Sequence, residues 1–235
     1  LQNAQFAEYS TAIGEHKVVS LEDGSTVTLN TNSKIRVDFS DDARRIVLER
    51  GEGLFNVATD KQRPFTVEAG GQYVTALGTV FSVSFAAEDE IAVGVVEGVV
   101  ALHETSDLIL DAVVTESSAS VDFELIEQQS AGKNIVLEAN EVARLAGDGW
   151  IEEKTTSAGL NSQYSWQEGL LRADRETLGD FVEDMQRYVD KDITIADGAI
   201  ADLEISGVFR IDDQEGIWLG IEQALPVEIT QTNEE

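Results

Sequence analysis

The sequence contains no cysteine, which excludes a disulfide framework, a thiolate nucleophile and a zinc–thiolate site. It contains no run of about 18 apolar residues and no basic segment leading into a short apolar one, so neither a membrane-spanning helix nor a secretory leader is legible within it. Basic residues are scarce: 16 Lys and Arg stand against 45 Asp and Glu, a formal net charge of −29. Phosphate backbones and anionic lipid surfaces are repelled by such an exterior, and nucleic acid is not an expected partner. The acidic clusters Asp212, Asp213, Glu215 and Glu88, Asp89, Glu90 lack the spacing of a calcium loop and read as solvated surface suited to a saline environment. Only two histidines occur, His16 and His103, both read as exposed or capping side chains. No G-x-S-x-G elbow is present, and Gly51-Glu52-Gly53 lacks the further glycine and the helix of a dinucleotide loop. The expectation is a protein with no catalytic residue, no metal and no cofactor, hence not an enzyme.

What is present is the balance of a folded chain: 42% hydrophobic and 26% charged residues over 235 positions, enough for two domains. From about Ile13 to Leu102 apolar residues recur at spacing two, the strand period: Val19 and Leu21, Val27 and Leu29, Ile35, Val37 and Phe39, Ile46 and Leu48, Phe55 and Val57, Phe65 and Val67, Phe81, Val83 and Phe85, Ile91, Val93 and Val95. This predicts an all-β domain, elongated and either solenoid-like or a sandwich, spanning 1–150. In its first hairpin a three-residue loop of Asp23, Gly24 and Ser25 pairs Leu21 with Val27 and Val19 with Leu29, keeping four apolar side chains on one face. An acidic insertion follows at about 103–134, and a polar stretch over 151–164 reads as a linker.

The rhythm changes beyond it, in a small α+β domain over 165–235. Leu178, Phe181, Val182, Met185 and Val189 form the stripe of an amphipathic helix. Ile217, Leu219, Ile221 and Leu225 mark a second helix, ended by Pro226. Strands are expected at Gly169–Ala173, around Ile193 and Ile195, from Leu203 to Phe209 and from Val227 to Thr230, so that the domain is two similar halves. Trp166 and Trp218 are read as packing residues rather than stacking platforms.

Five separated stretches resemble the FecR domain: IGEHKVVSLEDGSTVTLNTNSKIRV from Ile13, RIVLERGEGLFNVA from Arg45, RPFTV from Arg63, ALGTVFSV from Ala76 and VVEGVVAL from Val95. Trp166 to Leu171, the helix ending at Arg187 and Tyr188, Ser206 to Phe209 and Ala224 to Val227 are similar to the secretin and TonB short N-terminal domain. The resemblance implies a periplasmic region of a single-pass inner-membrane regulator, with cytoplasmic and membrane-spanning segments ahead of Leu1. It implies that the periplasmic signalling domain of a TonB-dependent outer-membrane transporter docks here, and that the contact is relayed to an extracytoplasmic-function sigma factor. For the docking surface, an exposed sheet edge is expected to take up a partner strand. Leu203, Glu204, Ile205, Ser206 and Val208 are the first candidates, with Val227 and Ile229 of the terminal segment as the second. The alternatives are a carbohydrate-binding β domain with an accessory domain, and a secretin-like structural subunit.

Overall fold

The computed structural model describes residues 6–85, 90–104, 134–146 and 149–230. Most of the expected acidic insertion, 105–133, lies outside them. The chain divides into two compact units, Leu1–Leu160 and Asn161–Glu235.

The first unit is two seven-stranded sheets. One takes β1 (Ala7–Ser10), β4 (Lys34–Phe39), β5 (Arg44–Arg50), β7 (Phe65–Ala69), β8 (Gln72–Ala76), β11 (Val99–His103) and β12 (Ile135–Glu138), in that order. The other takes β2 (Lys17–Ser20), β3 (Thr26–Leu29), β6 (Glu52–Asn56), β9 (Val80–Phe85), β10 (Ile91–Glu97), β13 (Glu141–Ala146) and β14 (Gly149–Lys154). Strand order follows chain order in both, so the chain lays successive strands on one sheet and then the other as it advances. The unit therefore has the layers of a sandwich and the progression of a solenoid. Its core is the set named by the period-two pattern: Val27, Leu29, Ile35, Ile46, Phe55, Phe65, Val67, Phe81, Val83, Val93 and Val95 are all fully buried. Phe55 stacks on Phe81 of its own sheet at 5.2 Å and meets Phe65 of the facing sheet edge-on at 6.1 Å, joining the two layers.

The first hairpin corrects the expected register. Val19 pairs with Val27 and Lys17 with Leu29, and Leu21 N–H donates to Ser25 O at 2.9 Å. The three loop residues are thus Glu22, Asp23 and Gly24. Such a loop needs a left-handed residue in its last position, and Gly24, at φ 86°, supplies it where Ser25 would be strained. The two-residue change in pairing leaves every apolar side chain on its expected face.

Each passage of the chain between sheets leaves main-chain groups outside the ladders, and buried polar side chains satisfy them. At one passage the fully buried Arg44 donates from Nη1 to Asp23 Oδ2 at 2.7 Å and to Ala58 O at 2.8 Å, and from Nε to Arg63 O at 2.8 Å. Its guanidinium also lies over the Phe65 ring. At another, Thr11 Oγ1 donates to Asn30 O, Asn30 Nδ2 to Glu52 Oε2, and Glu52 N–H to Ser33 Oγ. Burial by itself raises the Asp23 pKa; hydrogen bonds from Ser25 and Arg44, with the Arg44 charge, outweigh it and hold the carboxyl below its ordinary value.

In the second unit β15 (Leu170–Thr177) pairs antiparallel with β16 (Glu204–Arg210). The segment 151–164, expected as a linker, is ordered. Its beginning completes β14, and helix α1 (Ser157–Gln163) fills the rest, started by Thr156, whose hydroxyl accepts from Gly159 N–H. A Ser- and Thr-rich stretch serves a cap as well as a linker, and composition does not separate the two. Helices α2 (Leu178–Gln186), the single turn α3 (Gly198–Ala201) and α4 (Gln214–Ala224) complete the unit. Ala173, Leu178, Phe181, Met185, Val189, Ile205, Ile217 and Ile221 form its core.

The two halves correspond at their caps, at core positions and in one restraining hydrogen bond. One constant offset carries the α2 N-cap Thr177 onto the α4 N-cap Asp213, Phe181 onto Ile217 and Met185 onto Ile221. The same offset carries the bond from Ile193 N–H to Gln186 Oε1 onto that from Ile229 N–H to Glu222 Oε1, both 2.7 Å. These last bonds explain another correction. The segments around Ile193 and from Val227 to Thr230 are not ladder strands, because in each a main-chain donor is taken by the side chain of the preceding helix.

Two substitutions separate the units. Asp23→Ala leaves Arg44 buried without its counter-charge and is expected to cost the β unit about 3 to 5 kcal/mol, whereas Phe181→Ala costs the small unit about 3 to 5 kcal/mol. Differential scanning calorimetry is expected to show each variant lowering one transition only. Because the Asp23 pKa is depressed by folding, its contribution is complete above about pH 4 and is lost as pH falls through the folded-state value. The deficit of Asp23→Ala therefore shrinks in acid.

Candidate partner interface

Among the described residues no group of three or more His, Asp or Glu is placed to hold a metal ion, and no helix is long and apolar enough to cross a membrane. His16 is exposed. His103 differs from expectation: it is buried at the end of β11, stacked on Tyr73, with Nε2 3.0 Å from Thr75 Oγ1. Neighbouring strands supply both contacts, and local sequence could not reveal them. Glu52 of the Gly51-Glu52-Gly53 run is spent on the buried network with Asn30 and Ser33. Trp166 is buried and Trp218 packs against the small core, as packing residues do.

The two-stranded sheet of the small unit has two outer edges, and they are treated differently. On β15 the outward carbonyls are engaged by hydroxyls: Ser165 Oγ donates to Leu170 O at 2.9 Å and Ser162 Oγ to Arg172 O at 3.3 Å. On β16 the ladder phase follows from its ends, where Leu178 N–H donates to Leu203 O and Ile211 N–H to Gly169 O. Main-chain groups of Ile205, Gly207 and Phe209 therefore face β15, and those of Glu204, Ser206, Val208 and Arg210 face away, since direction alternates along a strand. A row of outward donors and acceptors is a template for another strand.

The residues expected at the docking surface separate along this strand. Ile205 is buried in the core and Leu203 packs partly against it. Glu204 and Ser206 are exposed, and Val208 is 57% exposed on the sheet face away from the helices. Val227 packs against the core, while Ile229 is 39% exposed in a segment without a ladder. The structure thus joins Glu204, Ser206 and Val208 in one edge and leaves Val227 and Ile229 apart from it. Arg210 belongs with the first group and was missed, although the same alternation, extended by one step, reaches it.

Beside this edge β15 carries a bulge at Arg175, whose φ is 55° and whose N–H donates to Ser206 Oγ at 2.9 Å. The bulge sets Glu176 opposite the buried Ile205. Burial, and then the charges of Asp184 and Asp180, push the Glu176 pKa up to about 7. A carboxyl with a raised folded-state pKa weakens the fold as pH rises from its unfolded value, about 4.3, through that folded value. Glu176→Gln is therefore expected to raise the melting temperature of the small unit above pH 7, and the gain should vanish below about pH 4 in a pH series of thermal melts.

Residues 7–101 match the family described as FecR protein. Two crystal structures of a candidate anti-sigma factor from Parabacteroides distasonis ATCC 8503, at 2.50 and 1.65 Å resolution, have the same fold. Each aligns with a TM-score of 0.70 and 24% sequence identity over 97% of this chain and 95% of that one. No curated protein sequence matches the chain.

Proposed function

We propose, from the match of residues 7–101 to the family described as FecR protein, that the chain is the signal-receiving region of a FecR-like regulator in the cell envelope. The partner is the periplasmic signalling domain of a TonB-dependent outer-membrane transporter, and the readout is an extracytoplasmic-function sigma factor reached through membrane-spanning and cytoplasmic segments. The observation that carries the site is the contrast between a covered β15 edge and an open β16 edge. The relay needs no covalent step. A transporter domain that binds two states of the receiver unequally shifts their populations by its differential affinity alone. Main-chain pairing supplies affinity, and the alternating Glu204, Ser206, Val208 and Arg210 side chains supply selectivity.

Proline at an outward-facing position removes a donor from the free edge and leaves the main-chain bonds to β15 in place, although at position 206 it also removes the hydroxyl that accepts from Arg175 N–H. Glu204→Pro and Ser206→Pro are expected to remain folded by circular dichroism and to bind a transporter signalling domain about tenfold more weakly in calorimetric titration. Unchanged affinity in both folded variants would exclude this edge and transfer the site to Val227 and Ile229.

A further inference from the structure

We propose that the free edge of β16 also pairs with itself, joining two copies of this chain in a symmetric dimer. The strand is self-complementary about Gly207. In an antiparallel pair centred there, Glu204 stands opposite Arg210 of the second copy, Ile205 opposite Phe209, and Ser206 opposite Val208. The four residues whose main-chain groups face outward, Glu204, Ser206, Val208 and Arg210, meet only one another in this register, so every outward donor finds an acceptor. Sliding the pairing by two residues sets Glu204 against Val208 and carries Arg210 past the end of the partner strand. The result is one four-stranded antiparallel sheet with an isologous interface.

Three further features agree with this seam. Two facing strands come within about 4.5 Å at a non-hydrogen-bonded pair, and on the axis each copy has glycine. Gly207 is already overlaid by the ring of Phe209, which an added Cβ would meet at 2.9 Å. Charge is balanced here. The chain carries −29, yet β15 and β16 set Arg172, Arg175 and Arg210 against Asp174, Glu176 and Glu204, so repulsion between copies is weak at this surface. Lastly, Val208, 57% exposed, gains a neighbour. Arg210 holds Asp212 in an exposed pair at 2.8 Å, and its five donors allow Glu204 of the second copy to be added.

If the edge also receives a transporter domain, a consequence that rests on the reading above, the two occupants exclude each other and the dimer is the unoccupied state. The dimer itself requires only this chain. Sedimentation equilibrium of the full 235-residue chain over a concentration series is expected to show a monomer–dimer equilibrium. Glu204→Arg and Arg210→Glu, each checked for folding by circular dichroism, should separately weaken it about tenfold or more, since each turns two opposite-charge pairs into like-charge pairs. The double variant should restore it, and so should mixing the two single variants, because one then carries positive charge at both positions and the other negative. A chain that stays monomeric throughout, or a dimer indifferent to these exchanges and to mixing, would overturn the proposal. Either result leaves transporter binding to be judged by its own titration.

Discussion

The β unit depends on a buried charge. Arg44 has no exposed side-chain surface, and it ties the first hairpin turn, through Asp23, to the connection between β6 and β7, through Ala58, Asp60 and Arg63. An arginine buried this deeply is costly unless each donor is satisfied, and here carboxylate, carbonyls and an aromatic face do so together. Its partners are the turn of the β2–β3 hairpin in the facing sheet, the β6–β7 connection and the Phe65 ring of its own sheet, so the interaction ties the two layers together. The Thr11, Asn30, Ser33 and Glu52 network does the same at another passage without a net charge pair of its own. The D-G-S and L-N-T-N-S runs that mark the FecR resemblance are therefore largely these structural joints.

The small unit follows a different rule. Its halves share caps, core positions and even the helix side chain that restrains the following segment, but they do not share an environment. The strand of the first half is covered by Ser162 and Ser165; among the described residues no strand pairs with the outer edge of its counterpart in the second half. Duplication supplies two equivalent edges, and the polypeptide leading into the unit occupies one of them. The remaining edge carries the functional argument, because strand pairing is directional and a protein that must bind reversibly leaves such an edge available. Glu176, held at a bulge next to the same strand and pushed towards neutrality at moderate pH, couples the stability of this edge to proton concentration.

Much of this architecture was legible because the core obeys simple periods. The spacing-two positions from Val19 to Val95 are buried, except that Phe39 and Phe85 at strand ends are only partly so, and the α2 stripe supplies Leu178, Phe181 and Met185 to the small core. Turn chemistry was legible in part: Asp23 and Gly24 announced a hairpin, and the left-handed position of Gly24 fixed which residues form its loop. The boundary between the units falls within 151–164 as expected, but the stretch is ordered, because serine, threonine and glycine suit a helix start as readily as a loop. The strands expected near Ile193 and Val227 failed because Gln186 and Glu222, remote by two helical turns, take their main-chain donors.

The sequence by itself therefore determined the class of each unit, most of both cores and the stretches that match the FecR family model, since all three rest on local period and motif. Tertiary structure alone decided that Arg44 and His103 lie inside, that the two sheets share successive strands, and that β16 rather than β15 keeps an open edge. Those outcomes depend on which distant groups meet. A buried guanidinium is set by carbonyls up to 19 residues away in sequence, and an edge is free or covered according to what another segment places beside it, which no pattern within the strand records.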